Sequence, residues 1–512
     1  MPEDLKGLAL ATIADSRAHA DPDHPVYHVA PPVGRLNDPN GLIVDGDTYH
    51  AFYQFGPSFP QGKLVYWGHA VSTDLLTWQD KGPAVIPDSR YDRNGAYSGT
   101  GLIVDDAVAG IPRFALFYTG NYKDAETGER EATQCLVTSE DLVTFTKYAA
   151  NPVVPDQPAG YTAHYRDPQV WRDADGSYRM LIGAQRENLT GAAVFYRSDD
   201  LVQWRFEGEM TFPGREDEFA SLGYMWECPN LVKVTDESTG EKLDLFIFCP
   251  QGIEPPREGF ENVFPCVYVL GHLEGNAFRV VSADYEELDR GFEFYAPQVF
   301  ARRAGDERTP LLTGWAGNAG EDSQPSLETG GWVHTLTVPR ELTARNGRVI
   351  QRPAPAWGEA SERAVITARS TRTEIEGLRG SRAFRLEVAG VQEGVRAADG
   401  GASTATDAGA WAVRIGGEAC HVDIELRGGQ LIVDRATTRY PHGDRRVVTL
   451  PQDTAPRLEI LHDRSITEIY VGDGDLAFTL RSYLDPEDSV TSLLTEGDMG
   501  RSFNVRTQRL DG

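Results

Sequence analysis

Three acidic residues sit in short stretches whose composition could hold a carboxylate in one place: Asp38 in Gly34-Arg35-Leu36-Asn37-Asp38-Pro39-Asn40-Gly41, Asp167 in Tyr165-Arg166-Asp167-Pro168, and Glu227 in Trp226-Glu227-Cys228-Pro229-Asn230. Asn, Asp, Pro and Gly favour tight turns, so the first stretch reads as a turn at the mouth of a sheet, ahead of strand-like runs at 42–44 and 48–54. Alone it would equally suit a hairpin turn whose Asp bonds its own backbone. With two further acidic turns downstream, a chemical reading opens. Carboxyls brought within a few Å of one another cannot all stay ionised, so one is driven to hold a proton. A proton-bearing acid beside an ionised nucleophile is the pair that retaining cleavage of a glycosidic bond requires.

Sequence neighbours suggest how the roles divide. Arg166 beside Asp167 should keep that carboxylate ionised, suiting it to clamp hydroxyls. Glu227, flanked by Met225, Trp226 and Cys228, has an apolar setting that favours the protonated form, which makes it the acid/base candidate. Asp38, among Asn37, Asn40 and turn amides, should be held rigid and ionised, as a nucleophile is.

Residues this far apart in the chain meet only if the fold gathers them. From about 27 to 342 the sequence alternates aromatic and β-branched residues broken by Gly, Pro, Asn and Asp, the pattern of short strands. Val71–Trp78 is echoed by Val137–Phe145 and Tyr196–Trp204, each ending a strand in a Ser/Asp turn with a Leu and an aromatic expected to pack back on it. A spacing of roughly 60–67 residues predicts about five propeller blades, whose inner strands would aim at one funnel; a single large sandwich is the alternative. The expected architecture is all-β: a helical extension over 1–24, a five-bladed propeller over 25–345, a linker over 346–362 around the Pro-rich 352–358, and a β-sandwich over 363–512. A chain of 512 residues carries this many units. A net charge of −28 disfavours nucleic acid and anionic membrane, and no run reaches a membrane span. The five Cys are scattered without metal spacing, and His50, His69 and His164 read as structural histidines. No metal or cofactor is expected, and the acidic N-terminus is a poor signal peptide, which suggests the cytoplasm. The sequence leaves a homo-oligomer open.

Leu36–Gly41, Tyr165–Trp171 and Met225–Val232 together resemble glycoside hydrolase family 32, the invertase group of β-fructofuranosidases, inulinases, levanases and sucrose-6-phosphate hydrolases. Supporting stretches are 66–78, 97–101, 248–253, 292–298, 313–318 and 332–342. The resemblance implies a five-bladed propeller joined to a sandwich, and double displacement through a fructosyl-enzyme, with the Asp38 and Glu227 carboxyls about 5–5.5 Å apart. It places Asp38 as nucleophile, Glu227 as acid/base and Asp167 as transition-state stabiliser. Asn37, Gln54, Tyr97, Ser98 and Arg166 fall where the family holds the fructose ring, and Cys228 where the residue after the acid tunes it. Tyr295 and Trp315 lie in family-like stretches as further sugar contacts. Trp67, Trp171 and Trp226 read as core aromatics. Two positions depart: Arg35 stands where the family often has Trp, and Gly62 where a second Trp is usual, with Phe59 as a stand-in. An Arg at the rim could contact a phosphate. The small-molecule substrate implied is a terminal β-D-fructofuranoside, sucrose or sucrose 6-phosphate. The alternatives are a fructo-oligosaccharide hydrolase or fructosyltransferase and, in a different class, a non-catalytic sugar-binding propeller.

Overall fold

The computed structural model describes residues 4–511 except 106–107, 109, 254–261, 263, 392–408 and 497–499. The chain is nearly all β. Its first 350 residues form five antiparallel sheets, each opened by one strand: β1 (Gly34–Asp45), β2 (Gly101–Ile103), β3 (Tyr161–Arg172), β4 (Met225–Thr235) and β5 (Tyr295–Val299). β1 packs beside β2, β2 beside β3, β3 beside β4, β4 beside β5, and β5 returns to β1, so the opening strands form a closed ring. The ring is also tied by hydrogen bonds. Trp332–Val333, late in the chain, pairs in parallel with Gly34–Arg35 at the start of β1.

The recurring Ser/Asp motif links the third and fourth strands of the first three sheets. Ser72, Ser139 and Ser198 accept the amides of Leu75, Leu142 and Leu201 at 2.8, 2.8 and 2.9 Å. Asp74, Asp141 and Asp200 take the next two amides. Each Leu is held at positive φ (65°, 53° and 67°) and buried, its strain offset by these side-chain acceptors. The sequence suggested that the aromatic that follows packs back on its own strand; it crosses to the neighbouring sheet instead. Phe145 stands edge-on to Phe52, and Trp204 edge-on to Phe117, each in the preceding sheet. The repeat therefore glues neighbouring sheets, because its turn throws the aromatic across the inter-sheet gap.

The expected linker begins later than the Pro-rich composition suggested: Arg348–Pro353 is the last strand of the fifth sheet, fully paired with Arg340–Arg345. Beyond it, two six-stranded antiparallel sheets face one apolar core built from Phe384, Leu386, Val413, Ile424, Ile460, Phe478 and their neighbours. At the N-terminus a helix, α1 (Leu5–Ala14), is capped by Asp4, which accepts the Gly7 amide at 2.9 Å, and lies against the first sheet. No described helix is long and apolar enough to cross a membrane.

The two halves share a buried ionic seam. Asp463 accepts the amides of Val26, Tyr27 and His28 at 2.7, 2.9 and 3.0 Å, and His28 Nδ1 lies 2.9 Å from it. His28 Nε2 reaches Glu468 at 3.0 Å, and Arg340 donates to Glu468 at 2.7 Å while lying 3.0 Å from Asp289.

Candidate active site

The three acidic stretches are not turns. Asp38, Asp167 and Glu227 lie inside β1, β3 and β4, at places where the strand register slips. A β-bulge puts one extra residue into a strand and re-aims its side chains, which is why the sequence reads as turn-like while the backbone stays in the ladder. Asp167 and Cys228 carry the positive φ of their bulges, 65° and 46°, and Ala296 does so on β5 at 47°. Arg166, Glu227 and Tyr295 thus occupy the same place on three successive strands, immediately before the left-handed residue. On β1 the positive-φ residues are glycines, Gly34 and Gly41, and at Gly41 a Cβ would come within 2.9 Å of the Trp67 ring.

The equivalence has a direct consequence: Arg166, Glu227 and Tyr295 are bonded in a row. Arg166 Nε and Nη2 donate to Glu227 Oε1 at 3.0 and 2.5 Å, and the Tyr295 hydroxyl donates to Oε2 at 2.6 Å. Gln251 Nε2 adds a donor to Oε2 at 2.7 Å. This overturns two expectations drawn from sequence neighbours. Arg166 gives its hydrogen bonds to Glu227 and not to the adjacent Asp167, although both line the cavity and its charge still lowers Asp167. The apolar neighbours of Glu227 do not surround its carboxyl either. Trp226 packs among Phe246, Phe248 and Phe212 between sheets, and its Nε1 donates to the Leu222 carbonyl at 2.6 Å.

Asp167 faces inward with Oδ2 accepting the Cys228 amide at 3.0 Å and its thiol at 3.5 Å, while its own amide donates to Thr119 Oγ1 at 3.0 Å. Burial pushes its carboxyl up to about 6; Arg166 opposes the rise, Glu227 adds to it, and the Cys228 bonds lower it. Asp38 accepts Gln54 Nε2 at 3.0 Å and the Ser98 hydroxyl on the same oxygen. Burial raises Asp38 to about 7 against the Ser98 bond, with the charges of Asp167 and Glu227 adding to the rise. The polar residues around Asp38 in sequence suggested a carboxylate held ionised; its setting does the opposite. Three carboxyls share one cavity, and desolvation outweighs the donors.

The cavity is about 450 Å³. Asn37, Asp38, Gln54, Tyr97, Arg166, Asp167, Glu227, Tyr295 and Trp315 line it together. Ser98 and Cys228, expected beside the sugar, stand behind the wall at 0 % and 2 % exposure, where they hold Asp38 and Asp167. Cys228 reaches Asp167, and not the acid it follows, because its left-handed backbone turns its amide toward β3. The wall also contains Lys63, Gln251, Phe264 and Asp322, which the sequence reading did not assign. Gln251 lay within a family-like stretch; Asp322 had no signal at all. Arg35 is 2.8 Å from Asp322, which His334 Nε2 also approaches at 3.1 Å, and its guanidinium lies over Phe59 and Trp315 at 5.6 and 5.5 Å. His50 and His69 pair at 3.0 Å away from the pocket, and His164 Nδ1 is 3.1 Å from Arg166. Trp67 and Trp226 are core, and Trp171 packs edge-on to Phe195.

A polar cavity with several convergent carboxyls, fixed guanidinium and amide donors, and aromatic walls has the groups that cleavage of a carbohydrate requires. Residues 28–353 match the glycosyl hydrolases family 32 N-terminal domain and residues 405–507 its C-terminal domain, and the chain belongs to that family. It is 40 % identical to the sucrose-6-phosphate hydrolase of Bacillus subtilis (strain 168) over 343 residues, 66 % of this chain and 66 % of that one. It is 32 % identical to the raffinose invertase of Escherichia coli, over 92 % of this chain and 91 % of that one. The solved sucrose-6-phosphate hydrolase from Lactobacillus gasseri superposes with a TM-score of 0.80 at 26 % identity, covering 98 % of this chain and 96 % of that one. The chain is an invertase-type glycosidase.

Proposed function

We propose that this enzyme releases fructose from sucrose or sucrose 6-phosphate by a retaining double displacement, on a five-bladed propeller whose blades are the five sheets, braced by a C-terminal β-sandwich. The observation that carries the proposal is the convergence of Asp38, Asp167 and Glu227, from three different sheets, on one cavity. Glu227 protonates the departing glycosidic oxygen, with Tyr295 and Gln251 fixing the direction of its carboxyl. Asp38 attacks the anomeric carbon, and Ser98 and Gln54 hold the attacking carboxylate in line. Asp167, turned inward by the Cys228 amide, accepts hydrogen bonds from the fructose hydroxyls as positive charge builds on the ring. In the second half, Glu227 takes the proton of a water that attacks the fructosyl-Asp38 ester.

The enzyme binds a small-molecule fructoside, with Asn37, Tyr97, Arg166 and Trp315 against the sugar. We place it in the cytoplasm, in keeping with five free cysteines, four of them buried. The test is fructose release from sucrose, sucrose 6-phosphate, kestose, inulin and levan by wild type, Asp38→Asn and Glu227→Gln. Turnover of the first two by wild type and its loss in both variants supports the reading. Binding of sucrose with no turnover in wild type would leave a sugar-binding protein instead.

A further inference from the structure

One stretch of the pocket wall, residues 317–324, belongs to neither strand nor helix; it runs from the strand Leu311–Ala316 to the short helix Pro325–Thr329 and contributes Ala319 and Asp322 to the cavity. Its own backbone bonds are local. The Glu321 amide donates to the Asn318 carbonyl at 3.3 Å, and the Gln324 amide to that of Asp322 at 2.9 Å. A segment held so lightly from within takes its position from the side chains that grip it.

The grip comes from the sandwich. Tyr483 donates to Gln324 Oε1 at 3.0 Å. A hairpin loop, residues 435–444, reaches the same segment with two rings: the Tyr440 hydroxyl donates to Glu321 Oε2 at 3.4 Å, and His442 Nε2 lies 2.9 Å from Glu321 Oε1. Arg435 fixes the loop by donating to the His442 carbonyl, and its guanidinium is also taken by Glu293 at 2.6 and 3.0 Å. The basic group that meets Glu321 is therefore His442. Glu321 is only 7 % exposed, and a carboxyl buried to that depth depends on such partners.

Glu321 and Asp322 are consecutive, and their carboxyls go separate ways. Glu321 meets the sandwich, whereas Asp322 meets Arg35 at 2.8 Å on the pocket side. Arg35 lies over Phe59 and Trp315, so its direction sets the shape and charge of that wall. We infer that His442 and Tyr440 are positioning residues for the sugar pocket: by holding Glu321 they fix Asp322 and, through it, the Arg35 guanidinium that the substrate meets. The sandwich then supports substrate binding from outside the propeller, through one loop. The inference rests on the proposed hydrolysis of fructosides in this pocket and deepens it.

The experiment measures kcat and KM on sucrose and sucrose 6-phosphate for the full-length wild type, His442→Ala, His442→Gln, Arg35→Ala and the double variant His442→Ala/Arg35→Ala. The His442 side chain is 54 % exposed, so its truncation leaves the fold intact. The expected result is a KM about fivefold higher in His442→Ala with kcat within about twofold of wild type, because a contact made equally in the ground and transition states shows in KM. His442→Gln, which keeps a donor toward Glu321, should recover most of that rise. In the Arg35→Ala background, His442→Ala should add nothing further. An unchanged KM in His442→Ala overturns the inference, even if the thermal midpoint falls, since the loop would then only brace the fold. A full effect of His442→Ala in the Arg35→Ala background also overturns it, because the loop would act by another route. Failure of the wild type on both sugars overturns the fructoside reading, and this inference with it.

Discussion

Two clusters of carboxyls in this protein, one sealed between the halves and one lining a partly open pocket, behave in opposite ways. In the pocket, burial lifts Asp38 to about 7 and Asp167 to about 6. At the seam between the halves, burial also acts to raise Glu468, yet the charge of Arg340, then the bond to and charge of His28, carry it down to about 2. Asp463 is lowered in the same way by His28 and by the amides of Val26 and Tyr27. The difference lies in the partners. The seam supplies each acid with cations and amides, whereas in the pocket Arg166 bonds to Glu227 and Arg35 pairs with Asp322, leaving Asp38 with neutral donors. Asp289 sits between the two cases: it shares Arg340 with Glu468, and burial still holds it above the ordinary range. Paired buried charge locks structure, and unmatched buried charge is kept where protons must move.

The comparison can be broken from either side. The largest effects belong to the pocket: Asp38→Asn and Glu227→Gln should each lower kcat on sucrose by about 10³-fold or more with the circular dichroism spectrum unchanged. Retention of most of the rate in either variant would refute its role. At the seam, Arg340→Met removes the cation shared by Glu468 and Asp289 and should cost about 3–5 kcal/mol in denaturant unfolding. The fraction that stays folded should keep its kcat, and a loss of kcat at full folding would mean the seam also shapes the site.

The pH dependences should diverge as well. As the proposed nucleophile Asp38 must be ionised, so kcat/KM should fall on the acid side as pH drops through about 7, by roughly tenfold per unit below it. A flat profile down to pH 5 would contradict this. Stability follows separate rules in the two regions. The folded Glu468 lies below its ordinary 4.5, so its contribution is complete above that pH and is lost as pH falls toward about 2. His28 lies above its ordinary 6.5, so its contribution is full below that value and fades as pH rises through its folded pKa. Asp38 has the opposite sign to Glu468: its raised pKa makes ionisation destabilising as pH climbs from about 4 to 7. Asp38→Asn should therefore raise the thermal midpoint more at pH 8 than at pH 4, by a few degrees, about the gain usual when a strained active-site group is removed. The smallest expected effect is Tyr295→Phe, which takes one of the donors from Glu227 and should cost about tenfold in kcat/KM, read most cleanly with sucrose.

Much of this molecule could be read from its residues in order. The period of the Ser/Asp repeat marked sheets of a common size, because Ser72, Asp74 and Leu75 and their echoes make a local turn that needs only its own amides. Asp38, Asp167 and Glu227 stood out because Pro and Asn interrupt strand-like runs around them, and a bulge leaves that signature. What sequence neighbours could not tell was which group each carboxyl meets. Arg166 is next to Asp167 in the chain but bonds to Glu227, and Cys228 is next to Glu227 but bonds to Asp167. The same bulge position on adjacent strands of the ring brings residues about 60 apart into contact, and that cross-strand contact outcompetes the neighbour in the chain. The identity of the acids, the turn chemistry and the strand pattern are local properties, written in consecutive residues. The pairing of charges, the depth of burial and hence the proton affinities depend on contacts between sheets, and only the closed ring and its seam decided them.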